Sequence, residues 1–387
     1  MRPATHAADR HTPAPSTPER PRRLLVAAGG GGDALTAAAL AHALYGPDTP
    51  TLVLTWAWER LVVDPVPGPR GRADFTGLRE PAPGVLLFTP DTRPVAPAGS
   101  LLPRLSGELP CALGLLDPHQ GVAGLTDTLR AAAEWCGAER IDVVDVGGDI
   151  LARGDEPTLR SPLGDALVLA AARRTGLPTD VYVAGPALDN EVPRAELLPR
   201  LGPAALRLTA EHTAALLPLF AWHPSEASAL LVAAARGLRA RCGTRDAPAP
   251  VDLDAASAGV HRLPLDAALA LNPLARALLD ADPVDLPGAE AVSEKVCGFS
   301  EVARERERAA RGEGLPPAPA PARAPDAGAL TARYAAWEAG PRAAGIACVT
   351  RRLVVEELGL EPAERDLLLD LLGAADRPEA PLLRLRP

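Results

Sequence analysis

Four consecutive glycines, Gly29 to Gly32, constrain the fold of this 387-residue chain more than any other feature. They follow a short apolar run at residues 23–28 and precede Asp33 and an alanine-rich helical pattern. This order predicts a strand, a tight turn and a helix. The first amides of a helix lack intrahelical partners and lie at the positive end of the helix dipole, so the turn favours a phosphate or carboxylate ligand. In the alternative interpretation, Asp33 only caps the helix and the glycines only form the turn.

A strand pattern that ends in glycine and acidic residues recurs further along the chain. Residues 141–146 are rich in β-branched residues and end in the Gly-Gly-Asp of 147–149. Residues 180–184 form another strand pattern, and the loop after it carries Asp189 and Glu191. Since ligands of parallel sheets collect at the carboxyl ends of strands, these loops are candidates for one site.

The helix signals between these strands complete an alternating pattern. Ser161 and Pro162 predict the start of a helix whose first turn holds Asp165, and Gly176 predicts its end. Alternating strands and helices predict an α/β fold, with a three-layer, mostly parallel open sheet of the doubly wound, Rossmann-like kind.

The composition is that of an ordinary globular protein. The net charge of −9 argues against nucleic-acid binding and against binding to anionic membranes. The five cysteines form no CxxC pair and predict reduced thiols in a cytoplasmic protein. No signal-peptide core and no membrane-spanning apolar run is expected from the pattern. Lys295 is the only lysine, which is typical of a high-GC genome.

The pattern also predicts the organisation of the chain. We expect a disordered tail at residues 1–20, an α/β domain at 21–310, a Pro/Ala-rich linker at 311–328 and a small helical C-terminal element at 329–387. The last helix of the α/β domain, at 301–311, is strongly charged and predicts a solvated face.

The combined motifs resemble an uncharacterised bacterial and archaeal family, that of domain of unknown function 1152. The resemblance extends from about Arg22 to Leu372 and implies an α/β fold without any catalytic assignment. The motifs that carry it are GGGGD, DVGGD, SPLGD, GPALDNE and HPSEAS, together with the Ser300-Glu301 helix start.

The candidate site residues follow from these strand ends and from the helix that starts near Glu226. The candidate catalytic residues are Asp149, Asp189, Glu191 and Glu226. The candidate metal ligands are Asp145, Asp149, Asp165 and Asp189. The candidate anion-binding residues are Gly29, Gly30, Gly31, Gly32, Asp33, Gly147 and Gly148. In the alternative interpretation, most of these acids are separate helix caps and turn residues.

Carboxylates that converge must either hold protons or hold a cation, because two of them about 4 Å apart repel by several kcal/mol. Mg²⁺ fits best, since it takes oxygen ligands and usually needs only one or two protein carboxylates beside substrate phosphates. Other chemistries are less favoured. The histidines form no zinc-like pair, no Gly-x-Ser-x-Gly elbow is present, and the glycine turn departs from the dinucleotide-binding pattern. His223 is either a general acid/base or a capping or packing residue.

The leading hypothesis is a Mg²⁺-dependent enzyme that acts on a small phosphorylated or nucleotide-like metabolite, an anionic small molecule. One alternative is a metal-independent hydrolase of glycosidic or C–N bonds, with a carboxylate as general base. Another is a regulatory protein that binds a metabolite at the glycine turn and signals through its C-terminal helices. The sequence leaves the oligomeric state open, a homo-oligomer included.

Overall fold

The computed structural model of the chain describes residues 20–247, 249–313, 325–375 and 378–386. The predicted tail at residues 1–20 lies outside the described residues apart from Arg20. Residues 314–324 of the predicted linker lie outside them as well.

The secondary structure alternates strands and helices over the first half of the chain. The strands are β1 Arg23–Gly30, β2 Thr51–Trp56, β3 Phe75–Thr76, β4 Arg79–Ala82, β5 Val85–Leu87, β6 Arg93–Pro94, β7 Ala112–Leu116, β8 Ile141–Val146, β9 Thr179–Ala184, β10 Ala204–Arg207, β11 Arg241–Gly243, β12 Val251–Asp252, β13 Gly259–Pro264, β14 Cys348–Val349, β15 Pro378–Glu379 and β16 Leu382–Arg384. The α-helices are α1 Asp33–Tyr45, α2 Leu102–Glu108, α3 Gly121–Cys136, α4 Pro162–Thr175, α5 Arg194–Leu197, α6 Glu226–Ala235, α7 Leu265–Leu271, α8 Pro273–Ala281, α9 Leu286–Cys297, α10 Glu301–Ala310, α11 Ala327–Ala343, α12 Arg351–Glu357 and α13 Pro362–Ala374.

Helix boundaries follow the local sequence signals. Helix α4 begins at Pro162 after Ser161 and ends before Gly176, which adopts φ +75°. Pro273 divides what would be one long helix into α7 and α8, because a proline lacks the amide that a helix interior needs. Asn272 caps α8 by accepting a hydrogen bond from the amide of Ala275.

The main sheet has the strand order β10-β13-β9-β8-β1-β2-β7-β5-β4. Its central strands β9, β8, β1, β2 and β7 are parallel to one another. The flanking strands β13, β10, β5 and β4 are antiparallel additions. The prediction of an open, mostly parallel sheet is therefore confirmed.

Strand β1 shows why the fold has three layers. Leu24 and Val26 contribute to a core under α3, α4, α8 and α9, whereas Leu25 and Ala27 contribute to a core under α1, α2 and α6. Successive side chains of a strand point to opposite faces, so a strand that is apolar on both faces needs helices on both sides.

The chain reverses direction across the sheet between β1 and β8. From β1 it proceeds through β2 to β7 on one side, and it then returns to place β8 and β9 on the other side. In doubly wound sheets, ligands bind at such a switch point, outside the carboxyl ends of the two strands. The glycine turn after β1 and the Gly-Gly-Asp segment after β8 therefore lie at the favoured position.

The C-terminal unit, residues 325–386, contains the expected helices and short strands beside them. Strands β14, β16 and β15 continue a second sheet of order β12-β11-β14-β16-β15, whose first two strands belong to the preceding part of the chain. Helices α11 to α13 cover this sheet with a small core of their own that includes Leu330, Tyr334 and Leu353. Strands of two or three residues are too short for a period to reveal them. The domain boundaries inferred from sequence stay a prediction.

The cysteines and the helices bear on two further expectations. The cysteines Cys111, Cys136, Cys242, Cys297 and Cys348 are all free. Among the described helices, none combines the length and the apolar character that a membrane crossing requires.

Candidate functional site

The glycine turn is tightly packed: strand β1 extends through Gly29 and Gly30, so that only Gly31 and Gly32 lie between β1 and α1. The Gly29 amide donates a hydrogen bond to Asp33 Oδ2 at 2.9 Å, and a Cβ on Gly29 would lie 2.7 Å from that oxygen. A Cβ on Gly32 would lie 1.9 Å from Ser225 Oγ. Gly31 has φ +54°, a backbone conformation that favours glycine. Helix α1 starts here without a side-chain cap, although the Leu35 amide donates to the Gly32 carbonyl at 3.0 Å.

The segment after β8 approaches the loop after β9 just as closely. Gly147 and Gly148 have φ +118° and +116°. A Cβ on Gly147 would lie 2.1 Å from Asp189 Cγ, and the Ala187 amide donates a hydrogen bond to the Gly147 carbonyl at 2.6 Å. These glycines therefore act in close packing, which brings Asp149 and Asp189 together; anion binding by Gly147 and Gly148 stays a prediction.

Three buried carboxylates from three elements converge beneath the glycine turn. Asp33 at the start of α1, Asp145 near the end of β8 and Asp165 in the first turn of α4 each offer an oxygen, and these oxygens lie within 4.8 Å of one another. We call these residues the carboxylate triad. Asp165 is fully buried, and neither of its oxygens has a hydrogen-bond partner among the described residues. Such an arrangement is costly unless the group is protonated or neutralised by a cation.

Burial and mutual repulsion raise the pKa values of these acids. Burial raises the pKa of Asp33 to about 8, against the hydrogen bond from Gly29. Burial raises the pKa of Asp189 to about 7, with the charge of Glu191 adding to the effect. Burial and neighbouring carboxylates raise the pKa of Asp145, and likewise that of Asp165, well above the ordinary value. The site therefore attracts positive charge.

Asp149 and Asp189 lie beside the triad at the cavity surface. Asp149 is within hydrogen-bonding reach of the carboxyl groups of Asp145 and Asp189. A hydrogen bond between two carboxyl groups requires a proton on one of them. Burial raises the pKa of Asp149 well above its ordinary value, and the charge of Asp165 raises it further.

Glu191 is engaged in holding the start of α4. Its carboxylate accepts hydrogen bonds from the Arg160 amide at 2.7 Å, the Ser161 amide at 2.9 Å and Ser161 Oγ at 2.6 Å. The Arg160 guanidinium lies 3.4 Å away. These contacts hold the start of α4 and so position Asp165 in its first turn, and the catalytic role of Glu191 stays a prediction.

Glu226 is similarly engaged at the start of α6. Its carboxylate accepts hydrogen bonds from the amides of Arg245, at 2.8 Å, and Asp246, at 3.1 Å. The Thr350 hydroxyl donates to it, and the Arg352 guanidinium lies 3.4 Å away. Glu226 thus joins the α/β core to the C-terminal unit, while its catalytic role stays a prediction.

A cavity of about 480 Å³ connects these groups, and its lining includes Gly29 to Gly32, Asp33, Asp145, Asp149 and Asp189. Gly164 also lines the cavity, and Asp165 is the next residue along the chain. The sequence interpretation missed a set of arginines in the same lining, which we call the arginine wall: Arg60, Arg160, Arg245 and Arg352. Single arginines far apart along the chain carry no sequence signal, because only the tertiary fold brings them together.

His223 also lines the cavity. Its Nδ1 accepts a hydrogen bond from the Ser225 amide at 3.2 Å, next to the start of α6. Burial lowers the pKa of His223 to about 3, and the charge of Arg60 lowers it further. The imidazole is therefore neutral at physiological pH, and it contacts Ser225, the residue that caps α6.

The sequence predicts a solvated face for helix α10, but another face of this helix lines the cavity. Glu301 and Glu305 line the cavity, and Glu305 accepts hydrogen bonds from Trp58 Nε1 at 3.0 Å and the Gly68 amide at 2.8 Å. Burial raises the pKa of Glu301 well above its ordinary value. The spacing of four residues between the two glutamates places them on one helix face, which is the signal that could have revealed them.

The residues fit a hard divalent cation. The triad offers only oxygen ligands, it is buried, and Asp165 has oxygens without partners. Hard cations such as Mg²⁺ prefer carboxylate oxygens, whereas a site with no histidine or cysteine is unsuited to zinc. Asp33, predicted as an anion-binding residue, belongs by position with the metal-ligand candidates Asp145 and Asp165.

Comparison with known proteins identifies the family. A family model described as "Protein of unknown function (DUF1152)" matches residues 24–309, which is most of the chain, so the chain belongs to this family. The match ends before the C-terminal unit. No curated protein and no solved structure matches the chain.

Proposed function

We propose that this DUF1152 protein is a Mg²⁺-dependent enzyme that acts on a small phosphorylated or nucleotide-like metabolite. The observation that carries the proposal is one cavity at the switch point of the sheet, lined by members of both the carboxylate triad and the arginine wall. A pocket that attracts a cation in one part and an anion in another suits a metal-bound phosphate ester.

The case for a cation rests on the free energy of the triad. Two carboxylates about 4 Å apart repel by about 4 kcal/mol at an effective dielectric of about 20. Asp165 has no arginine or lysine partner among the described residues to offset this repulsion, and its buried oxygens accept no hydrogen bond. A divalent ion held by Asp33, Asp145 and Asp165 would neutralise these charges and supply Lewis-acid polarisation of a phosphate oxygen.

Other groups of the protein would bind the anionic substrate and transfer protons. The open start of α1, together with the glycine turn, orients an anionic group through backbone amides. Asp189, with a pKa of about 7, can accept or release a proton at physiological pH. The arginine wall binds the negative end of the substrate. Asp149 is placed to share a proton with Asp189.

The test is calorimetric titration of Mg²⁺ into the wild-type protein and into Asp165→Asn. We expect the wild type to bind Mg²⁺ and the variant to bind it at least tenfold more weakly, a loss of about 1.4 kcal/mol or more. In chelator, Asp165→Asn should be at least as stable as the wild type, since the substitution removes a buried carboxyl group that accepts no hydrogen bond and that ionises only at a cost in free energy.

The matched control is Asp142→Asn. Asp142 is buried on the same strand as Asp145, but it contacts Tyr45 and Arg140 away from the cavity. This control should retain Mg²⁺ affinity. Equal binding by the wild type and Asp165→Asn, or binding by neither, would refute the cation site.

A second candidate function is metal-independent hydrolysis with carboxyl groups as general acid and base. The observation that favours it is the pair of pKa values, about 8 for Asp33 and about 7 for Asp189, which lie near physiological pH. Turnover of nucleosides that persists in excess chelator would select this function over the Mg²⁺-dependent one.

A further inference from the structure

The C-terminal unit reaches the cavity through strand β14. Cys348 and Val349 pair in parallel with Cys242 and Gly243 of β11. The Thr350 amide extends this pairing by donating to the Gly243 carbonyl at 3.1 Å. The chain therefore arrives at the start of α12 alongside the segment that leads from β11 to Asp246, and both segments line the cavity.

Arg352 is fixed where α12 meets the cavity. Its guanidinium lies 2.7 Å from Asp246 Oδ2, 3.4 Å from Glu226 Oε2 and 2.5 Å from Glu356 Oε1. Only 9% of its side chain is exposed. A cationic group held by three carboxylates has little freedom, so its position in the wall is determined by the fold rather than by a ligand.

Arg60 contacts the same Asp246 as Arg352 does, but its side chain is far more exposed to solvent. Its guanidinium contacts the same Asp246 carboxylate, and 45% of its side chain is exposed. An arginine offers five N–H donors, so this contact leaves donors for a ligand. Arg160 is also 38% exposed in the same lining, while its guanidinium donates to the Asp189 carbonyl at 2.8 Å.

Repulsion among these arginines favours an anionic ligand. Although part of the Arg60 side chain is exposed, desolvation of its guanidinium lowers the pKa of Arg60, and the charge of Arg352 lowers it further. Although burial opposes it, Arg60 and Arg352 hold the pKa of Asp246 well below its ordinary value. One ionised Asp246 is shared by both guanidiniums, so a second anion beside them would relieve the repulsion.

We propose that the arginine wall binds the phosphate group of the substrate. Arg60 is the direct ligand, and Arg352 is the residue that the C-terminal unit contributes to the substrate site. The inference rests on the proposed function and names its substrate class: a phosphomonoester or nucleotide whose phosphate lies at the arginine wall. Arg352 is not supplied by the family-matched region, which ends at residue 309. The C-terminal unit therefore completes the site.

The experiment measures the binding of inorganic phosphate to the full chain by calorimetry in the presence of chelator. We expect the wild type to bind phosphate at least tenfold more tightly than acetate, because a doubly charged oxyanion gains more from several guanidiniums than a carboxylate does. Arg60→Gln should weaken phosphate binding at least tenfold, which corresponds to about 1.4 kcal/mol. Arg352→Gln should weaken it several-fold, and Arg352→Lys should recover part of the loss.

Arg262→Gln is the matched control. Arg262 is half exposed and forms an ion pair with Asp180 at 2.7 Å, outside the cavity lining. The Arg262→Gln variant should bind phosphate with the same affinity as the wild type. A phosphate affinity that is unchanged by Arg60→Gln, or no preference for phosphate over acetate in the wild type, would overturn the proposal.

Failure of this inference can be separated from failure of the proposed function. Phosphate binding is measured without Mg²⁺, and Mg²⁺ binding is measured without phosphate. Arg352→Gln should leave Mg²⁺ affinity unchanged, whereas general damage to the fold would lower both affinities. Mg²⁺ binding without phosphate binding would refute only the proposed phosphate site at the arginine wall. Phosphate binding without Mg²⁺ binding would refute only the proposed cation site.

Discussion

Asp165 illustrates what a single residue contributes at this site. Its position in the first turn of α4 is a common one for an acid, because the helix dipole favours negative charge there. The fold then buries it completely beside Asp33 and Asp145, where no hydrogen bond reaches it among the described residues. The same carboxylate thus stabilises the helix locally and destabilises the metal-free site.

The pH dependence of stability follows from these buried acids. The pKa of Asp33 is about 8 and that of Asp189 about 7 in the folded state, against 3.8 in the unfolded chain. The folded state binds more protons than the unfolded state in this range, so the free energy of unfolding of the metal-free protein should fall as pH rises from about 4 to about 8. We expect a loss on the order of a few kcal/mol. Urea unfolding at several pH values in chelator measures it.

Mg²⁺ should oppose this loss most strongly at the alkaline end, because it binds the deprotonated carboxylates. Asp33→Asn should reduce the slope, while Asp266→Asn, at an exposed acid, controls for removal of one charge. Stability in chelator that stays level or rises between about pH 5 and about pH 8 is incompatible with buried, proton-holding carboxyl groups.

At the scale of elements, the turns after β1, β8 and β9 determine how closely the strand ends approach. Gly147 is the clearest case, since a Cβ there would lie 2.1 Å from Asp189 Cγ and its φ is +118°. A turn without glycine would separate the two loops and move Asp149 away from Asp189. Close packing, rather than flexibility, explains these glycines.

Gly147→Ala should therefore damage both stability and the site. We expect a loss of about 1–3 kcal/mol from backbone strain, with a further loss from the collision, and at least tenfold weaker Mg²⁺ binding. Urea unfolding and calorimetry measure the two effects. The control is Gly176→Ala, since Gly176 also has positive φ, +75°, but no atom within 4 Å of its Cβ position. Similar effects of both substitutions on Mg²⁺ binding would exclude a specific role for the Gly147 contact.

At the scale of the whole molecule, the cavity is assembled from both ends of the chain. The triad comes from α1, β8 and α4, whereas Arg352 comes from the C-terminal unit. Thr350 connects the two, because its hydroxyl donates to Glu226 and accepts a hydrogen bond from the Leu353 amide at 3.2 Å. The cap of α12 at Thr350, the pairing of β14 with β11 and the ion pairs of Arg352 thus connect the C-terminal unit to the site.

Thr350→Val should loosen this connection. The substitution keeps the side-chain shape but removes the cap of α12 and the contact with Glu226, so we expect a loss of about 1–2 kcal/mol. Amide hydrogen exchange should become faster across α12, and phosphate affinity should fall with it. Thr331→Val, on the exposed face of α11, is the control. Unchanged exchange in α12 would show that the C-terminal unit is held by its other contacts.

Much of the fold and part of the site could be predicted from local pattern. The parallel sheet, the start of α4 at Pro162 and the strand-end acids all follow from periodicity and from helix signals within a few residues. The arginine wall, the inward face of α10 and the strand pairing of β14 could not be predicted, because their partners lie far away along the chain. Glu226 shows the limit: its sequence position suggests chemistry, whereas its contacts show that it holds Thr350 and Arg352.

By itself, the sequence determined a doubly wound α/β fold, a glycine turn at a strand end and several acids near the same sheet edge. Strand and helix periodicity are local properties, so the residues alone specify them. Only the tertiary structure decided that Asp33, Asp145 and Asp165 share one buried point and that Arg60 and Arg352 share Asp246. Desolvation and Coulomb interactions depend on distance and burial in space, which separation along the chain does not fix.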